Sequence, residues 1–276
     1  NAKSIRDGSP SWMTTPGKTF SEYGFPAQQE INTKREILQP YEEYAPGTGV
    51  SMTPLEKLEG IITPNGLHFE RSHNGIPAID PLQHELLIHG LVERPLIFKT
   101  EDLLKYPMKT RTYFIECAGN SFYNSNAFPI AVDRTCGTIH GLISTSEWTG
   151  IPLKLILSEA GIKQEAKWIL AEGSDAAAMS RSIPLEKALD DILIALYQNG
   201  ERIRPEQGYP MRLVVPGWEG NINIKWLRRI KITKFPTHTK DETSKYSDLL
   251  PNGKSLQFTF PMEVKSVITQ PSAGSK

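Results

Sequence analysis

Cysteine is almost absent: Cys117 and Cys136 are the two in 276 residues. One disulfide between them is open, but a disulfide scaffold is excluded. No C-x-x-C occurs, so a thioredoxin-type dithiol is excluded as well. The chain also lacks an excess of either charge, with 31 basic against 31 acidic residues. That argues against a nucleic-acid partner, which calls for a basic surplus, while leaving room for a local basic pocket. Long apolar runs are missing too. Residues 192–197 form the longest clear one, far short of the roughly 20 residues a bilayer span requires. No signal-peptide pattern opens the sequence, which reads as cytosolic or already processed. Repeats, low-complexity tracts and heptads are absent. So are G-x-x-x-x-G-K-[ST], G-x-S-x-G and H-E-x-x-H, and with them the main support for a phosphate loop, a serine hydrolase or a zincin.

What is present is ordinary for a soluble globular protein: 38% hydrophobic and 22% charged residues, with enough chain for one large domain or two small ones. Glycine and proline, 21 each, indicate many turns and a loop-rich mixed fold. Residues 1–50 carry little periodicity and read as an extended arm laid over a folded body, with a short helix around 28–38. Aromatics at Trp12, Phe20, Tyr23, Phe25, Tyr41 and Tyr44 favour packing of this arm over disorder. The body alternates strand signals at 85–91, 110–116, 167–171, 211–215 and 224–234 with helix signals at 101–105, 152–160 and 184–189. Thr100 is the expected cap of the first helix, with acids in its first turn, and Pro107 and Gly161 are expected stops. Helices this short and strands this scattered do not make a doubly wound parallel sheet. The class expected is mixed α+β.

Polar residues cluster at the expected strand ends and in glycine-rich loops. His68, Arg71 and His73 fall in 65-NGLHFERSHNG-75, and Cys117 with Asn120 in YFIECAGNSFY. Asp175 lies in 172-EGSD-175. Arg212, Asn223 and Lys225 share 208-GYPMRLVVPGWEGNINIKWLRR-229, and Tyr246 is in 243-TSKYSD-248. Cations and amide donors dominate, which suits a large anionic ligand bearing phosphate and ring heteroatoms. Each residue also has a plainer reading. A lone cysteine at a strand end, as Cys117 is, is more often a small buried hydrophobe; the histidines also read as loop residues, Arg71 as a surface ion pair, and Lys225 as part of a solvated basic strand face. Residue chemistry alone gives a mixed α/β protein with an anion site.

The order of the motifs carries more. FIECAGN, 141-GLISTSEWTGIPL-153, 182-SIPLEKA-188, 197-YQNG-200, 208-GYPMRLVVPG-217 and 225-KWLRRI-230 resemble, in sequence order, the molybdenum domain of the sulfite oxidase family. Within it, ITPNGLHFERSHNGIPAID, AEGSDAAAMS and ETSKYSDLLPNGK resemble the sulfane dehydrogenase branch, often labelled sulfite dehydrogenase. The resemblance implies a sulfite-oxidase-type fold of several mixed sheets and short helices over 51–262. It also implies a molybdenum held by one pyranopterin dithiolene and one thiolate; Cys117 matches that position, and Cys136 is read as non-ligating. Phe69, Glu70, Arg71, Ser72 and His73 match the loop that contacts the cofactor. Asp175, Arg212, Ile224 and Lys225 match further cofactor positions, with Asn120 and Asn223 in the same loops. Gln207 stands where sulfite oxidases tend to carry histidine. Tyr246 matches the active-site tyrosine, and Arg71, Cys117 and Tyr246 make the expected catalytic set.

The implied chemistry is two-electron oxidation of a sulfur compound, with oxygen from water and electrons passed to a separate c-type cytochrome, since no C-x-x-C-H occurs. Ser121 and Phe122 replace the arginines that follow CAGN in sulfite oxidases. That turns the expected substrate from free sulfite to sulfane sulfur on a carrier protein. Free sulfite and a periplasmic sulfoxide-reductase-like activity are the alternatives within the class. A Cys–His hydrolase using His73 or His140, and a binding module without a cofactor, are the alternatives outside it. The resemblance further implies export of the folded protein to the periplasm with its leader removed. It makes 263–276 the expected start of a C-terminal dimerisation domain, and so a homo-oligomer where that domain exists.

Overall fold

A computed structural model describes residues 10–39, 42–124 and 134–273. The chain divides into two compact units, 1–33 and 34–276. The division comes earlier than residue 50 because residues 36–52 already form ladder with the body. Where a helix was expected over 28–38, a 3-10 turn at Gln28–Glu30 is followed by a strand at Glu36–Leu38. No apolar stripe runs through that stretch to hold a helix against a core. Trp12, Phe20, Tyr23, Phe25 and Tyr44 are exposed. Tyr41 lies outside the described residues.

The body is built from three sheets. The first joins β1 (Glu36–Leu38), β2 (Gly49–Met52) and β3 (Glu70–Ser72), all antiparallel. The second contains β4 (Glu85–Gly90), β5 (Leu96–Lys99), β8 (Trp168–Gly173), β9 (Ser180–Pro184) and β13 (Leu227–Thr233), in the order β5-β4-β13-β8-β9. It is mixed: β13 runs parallel to β4 and antiparallel to β8. The third contains β6 (Lys109–Glu116), β7 (Ile143–Pro152), β10 (Leu193–Gln198), β11 (Glu201–Arg202) and β12 (Arg212–Val214), with β12 paired to β10. A hairpin of β14 (Ser247–Leu249) and β15 (Ser255–Gln257) follows. The α+β class with mixed sheets is as the sequence indicated.

Helices are short: α1 (Thr100–Leu103), α2 (Cys136–His140), α3 (Leu153–Ala160), α4 (Leu185–Asp190) and α5 (Lys240–Ser244). In α3, Leu153, Ile156, Leu157 and Ala160 fall on one face and are fully buried; each larger side chain contributes roughly 1.5–3 kcal/mol by burial. Gly161, at φ +72, ends the helix as expected. In α1 the capping position belongs to Lys99 rather than Thr100, which is the first helical residue; the Lys99 N–H donates to Asp102 Oδ2 at 3.1 Å. Among the described residues no helix is long and apolar enough to cross a membrane.

Two apolar cores result. The larger lies between the second sheet, α3 and parts of the third, around Leu86, Ile88, Ile169, Ile194 and Ile230. The smaller lies between the first and third sheets, around Met52, Phe69, Ile115 and Trp148. The loops that leave these sheets at β3, β6, β8 and β12 meet at one pocket.

Candidate active site

That pocket is lined by Phe69, Glu70, Arg71, Ser72, His73, Cys117, Asp175, Gln207, Arg212, Asn223, Ile224, Lys225 and Tyr246. Its empty space is about 680 Å³, the open solvent at its mouth included. Of the sequence candidates, Asn120 alone is outside the lining. His68, noted in the first polar cluster, lines it too, and so do residues that sequence reasoning did not select, among them Met179, Gly220, Asn221 and Trp226.

Cys117 follows directly on β6. Its N–H donates to Leu142 O at 2.9 Å, continuing the β6–β7 ladder, and its carbonyl accepts from Asn120 N at 2.9 Å. Asn120 Nδ2 donates to Glu116 Oε1 at 2.8 Å, and its Oδ1 accepts from Leu142 N at 3.0 Å. Asn120 therefore braces the cysteine loop. Gly220 abuts the same loop so closely that an added Cβ would meet Glu116 O at 2.7 Å and the Cys117 Cα at 3.2 Å. Burial raises the Cys117 thiol pKa, opposed by the Gly119 N–H and by Arg71; binding of a metal would displace that proton. Cys117 and Cys136 are both free thiols, so the disulfide does not form. Cys136 is buried at the start of α2, its N–H donating to Ser272 Oγ at 2.6 Å.

The cationic wall comes from three separate segments. Arg212, on β12, is buried, with its charged carbon 5.0 Å from the Trp148 ring centre. Nη1 donates to Gln207 O at 2.9 Å and to Gln207 Oε1 at 3.2 Å, and Nη2 to Asn223 O at 3.0 Å. Burial draws its pKa down to about 9. Lys225 Nζ donates to Arg71 O at 3.1 Å and to Glu206 O at 2.9 Å, and burial draws it down to about 8. Arg71 Nη1 is held by Thr48 Oγ1 and Gly49 O, each at 3.3 Å, and by Ser72 O. Among the described residues, none of these three cations makes an ion pair.

Burial and neighbouring cations hold His68 and His73 down to about 3, so both are neutral. His68 Nδ1 lies 2.9 Å from Phe69 O, which fixes the proton on Nδ1 and leaves Nε2 an acceptor. Burial raises the Glu70 carboxyl, with Lys225 opposing it.

Two further candidates, like Asn120, have their side-chain amides committed within the protein. Gln207 Nε2 donates to Phe69 O at 2.8 Å while its Oε1 receives Arg212. Asn223 Oδ1 accepts from Val215 N at 2.7 Å and its Nδ2 donates to Glu219 O at 3.1 Å. Both hold Arg212 in place from either side. Asp175 Oδ1 accepts from Met179 N at 3.3 Å. Tyr246, just after α5, has its phenol pKa raised, chiefly by burial and then by the neighbouring Cys117.

The donor set fits an anionic, heteroatom-rich group. Arg212 Nε and His68 Nε2 are buried without a hydrogen-bond partner, a cost of about 1–3 kcal/mol each unless something binds there. Among the described residues no three of His, Cys, Asp and Glu gather to hold a metal. Cys117 is the one thiol in the pocket lining, and a metal here would draw its other sulfur ligands from the cofactor.

A family model for the oxidoreductase molybdopterin binding domain matches residues 73–240. The chain belongs to that family. Its cofactor is a molybdopterin, and it is an oxidoreductase domain of the sulfite oxidase and nitrate reductase type. The crystal structure of the sulfane dehydrogenase SoxCD from Paracoccus pantotrophus is similar to it, with a TM-score of 0.90 and 43% identity over 95% of this chain and 67% of that one. NADH nitrate reductases are similar over a shorter stretch. The one from Petunia hybrida is 36% identical over 66% of this chain, and that from Ulva prolifera 33% over 63%. The chain spans about a fifth of the length of these reductases, 22% in both.

The molybdopterin domain thus has, in this chain, one free thiol, three unpaired cations and one buried phenol around a single pocket. Neither histidine proposed for a Cys–His hydrolase is set up for that chemistry. His140 Nδ1 is 2.7 Å from Ser121 Oγ, and burial with Arg71 keeps His73 from acting as a base near neutral pH.

Proposed function

We propose that this domain oxidises sulfane sulfur presented on a carrier protein, in the periplasm, and passes the electrons to a c-type cytochrome subunit. Each turn adds one oxygen from water to the sulfur and releases two protons and two electrons. The observation that carries the reading is the surroundings of the cysteine loop. Ser121 is engaged with His140, and Phe122 packs on Tyr123 at 4.0 Å between ring centres. Neither Ser121 nor Phe122 offers a guanidinium to clamp a small oxyanion, and the nearby Arg134 is stacked on the Tyr123 ring, its guanidinium carbon 4.2 Å from the ring centre. The 43% identity to a sulfane dehydrogenase over 95% of the chain supports the same reading, against a shorter match to nitrate reductases.

When bound, the molybdenum–pterin group supplies the two-electron redox couple. Cys117 Sγ would hold its metal. Arg212 Nε, Arg71 and Lys225 would face its anionic end, and His68 Nε2 and Asp175 would accept from its N–H groups. Tyr246 keeps its proton at neutral pH, because its pKa is raised. Its phenol therefore donates to an oxygen at the reacting centre and can relay the proton released there. No C-x-x-C-H occurs in these 276 residues, so the haem proposed to take the electrons is bound outside them.

The test is steady-state cytochrome c reduction by the molybdenum-loaded protein. A cysteine-persulfide carrier should be oxidised at least about tenfold more efficiently than sulfite, roughly the worth of one charged hydrogen bond. Faster turnover of sulfite, or of nitrate with a reduced dye, overturns the assignment.

A further inference from the structure

Arg181, on β9, is a fully buried cation that the sequence motifs do not single out. It does not line the pocket, yet it touches two residues that do. Its guanidinium carbon lies 4.7 Å from the ring centre of Tyr246, and Nη1 donates to Asn221 Oδ1. Its Nε is 3.5 Å from Glu242 Oε1, a contact buried on both sides. Nη2 has no hydrogen-bond partner.

The surroundings explain why one side chain spans both pocket residues. Residues 237–246 are stitched to β9. Ser182 Oγ donates to Thr237 O at 3.0 Å and accepts from Thr237 N at 2.9 Å. Thr239 Oγ1 donates to Ser180 O at 3.0 Å, and Glu242 accepts from Ser182 N. These bonds fix the path of α5 but do not reach the phenol ring. Asn221 is held from its other end, Nδ2 donating to Glu219 Oε2 at 2.8 Å. Arg181 is the side chain that reaches the face of the Tyr246 ring.

We infer that Arg181 is a positioning residue that seats the Tyr246 phenol at the reacting centre and, from behind the ring, makes its O–H a stronger donor. The proposal rests on the reading of Tyr246 as the proton-handling residue. A cation over an aromatic face withdraws electron density from the ring. Here the cation is shielded by the ring, so it acts on the substrate's oxygen through the phenol and offers no fork to a free oxyanion. That also refines specificity: a substrate must reach the phenol itself, which suits a sulfur atom on a flexible arm.

The experiment is a double-mutant cycle on the molybdenum-loaded protein. Removing Arg181 alone would strand Glu242, so the variant pairs Arg181→Met with Glu242→Gln, which keeps the acceptor used by Ser182 N. Arg181→Lys serves as the milder variant, retaining the charge but not the fork. Each is made with Tyr246 intact and in a Tyr246→Phe background. Cytochrome c reduction is followed with both a cysteine-persulfide peptide and sulfite, so a wrong substrate assignment leaves the cycle readable on the other substrate. With Tyr246 intact the paired variant should lower kcat about tenfold or more; with Tyr246→Phe the same change should cost less than about twofold. Arg181→Lys should fall between. Equal losses in both backgrounds, or no loss with Tyr246 intact, overturn the proposal. Loss of molybdenum from either Arg181 variant overturns it as well, by making Arg181 a support of the whole pocket.

Discussion

Lys265 Nζ lies 2.9 Å from Glu116 Oε1, joining a segment late in the chain to the residue that precedes Cys117. The same oxygen receives Asn120 Nδ2. The cysteine loop is therefore tied at its base to two partners, and the Glu116 side chain is almost wholly buried while Lys265 is half exposed.

Removing the lysine tests this tie. Lys265→Ala leaves a buried carboxylate with its amide partner alone. A loss of about 1–2 kcal/mol is expected, lowering Tm by roughly 2–6 °C. Thermal unfolding of the variant checks it, and an unchanged Tm would show that Lys265 contributes nothing.

Gly220→Ala should be worse. The added methyl would meet backbone atoms of Glu116 and Cys117 rather than a movable side chain. Overpacking of this kind costs about 1–3 kcal/mol. Since the displaced residue is the thiol bearer, molybdenum content should fall along with stability. A variant with full metal content would place the loop's tolerance higher than the geometry allows.

Arg212 faces the pocket with an unpartnered Nε. Arg212→Lys shortens the reach and removes the fork that Gln207 and Asn223 orient. Cofactor retention after gel filtration, measured by pterin fluorescence, should drop at least about tenfold, the worth of one charged hydrogen bond. Retention equal to the parent would contradict the role given to this residue.

The pH response of the cofactor-free protein follows from the histidines and Lys225. His68 and His73 sit at about 3 when folded, against 6.5 ordinarily. Between those values the unfolded chain binds more protons, so stability falls as pH drops through that window. Lys225, at about 8 against 10.5, has the same sign at the other end: stability rises from pH 8 to 10.5. Cofactor retention should run the opposite way there, because uncharged Lys225 no longer attracts an anion. Urea unfolding across pH, with and without His68→Gln, checks the acid limb. A limb that is equally steep in the variant removes His68 from the account.

Much of this was legible in the sequence. Strands β4, β6, β8 and β13 fall where the strand signals at 85–91, 110–116, 167–171 and 224–234 placed them, and α3 shows its helical stripe. The longest strand, β7, escaped because Ser144 and Ser146 point inward. They are buried only because Thr53 Oγ1 lies 2.7 Å from Ser144 Oγ and Gln198 Nε2 donates to Ser146 Oγ; no hydropathy pattern reports such bonds. The pocket residues were found through ordered motifs, since their spacing along the chain says nothing of their meeting. Gln207, Asn120 and Asn223 show the limit of that route. Motif position brought them to the site, but only coordinates show their amides spent on the protein itself. Arg181 and Asn221 left no local signal, because their relation to Tyr246 is made entirely across the fold.

The most direct test of the account is molybdenum per chain, by elemental analysis, in the parent protein and in Cys117→Ser and Cys136→Ser. The account predicts about one molybdenum in the parent and in Cys136→Ser, and almost none in a folded Cys117→Ser. Full molybdenum in Cys117→Ser, or its loss from Cys136→Ser alone, would contradict Cys117 as the thiolate that holds the metal.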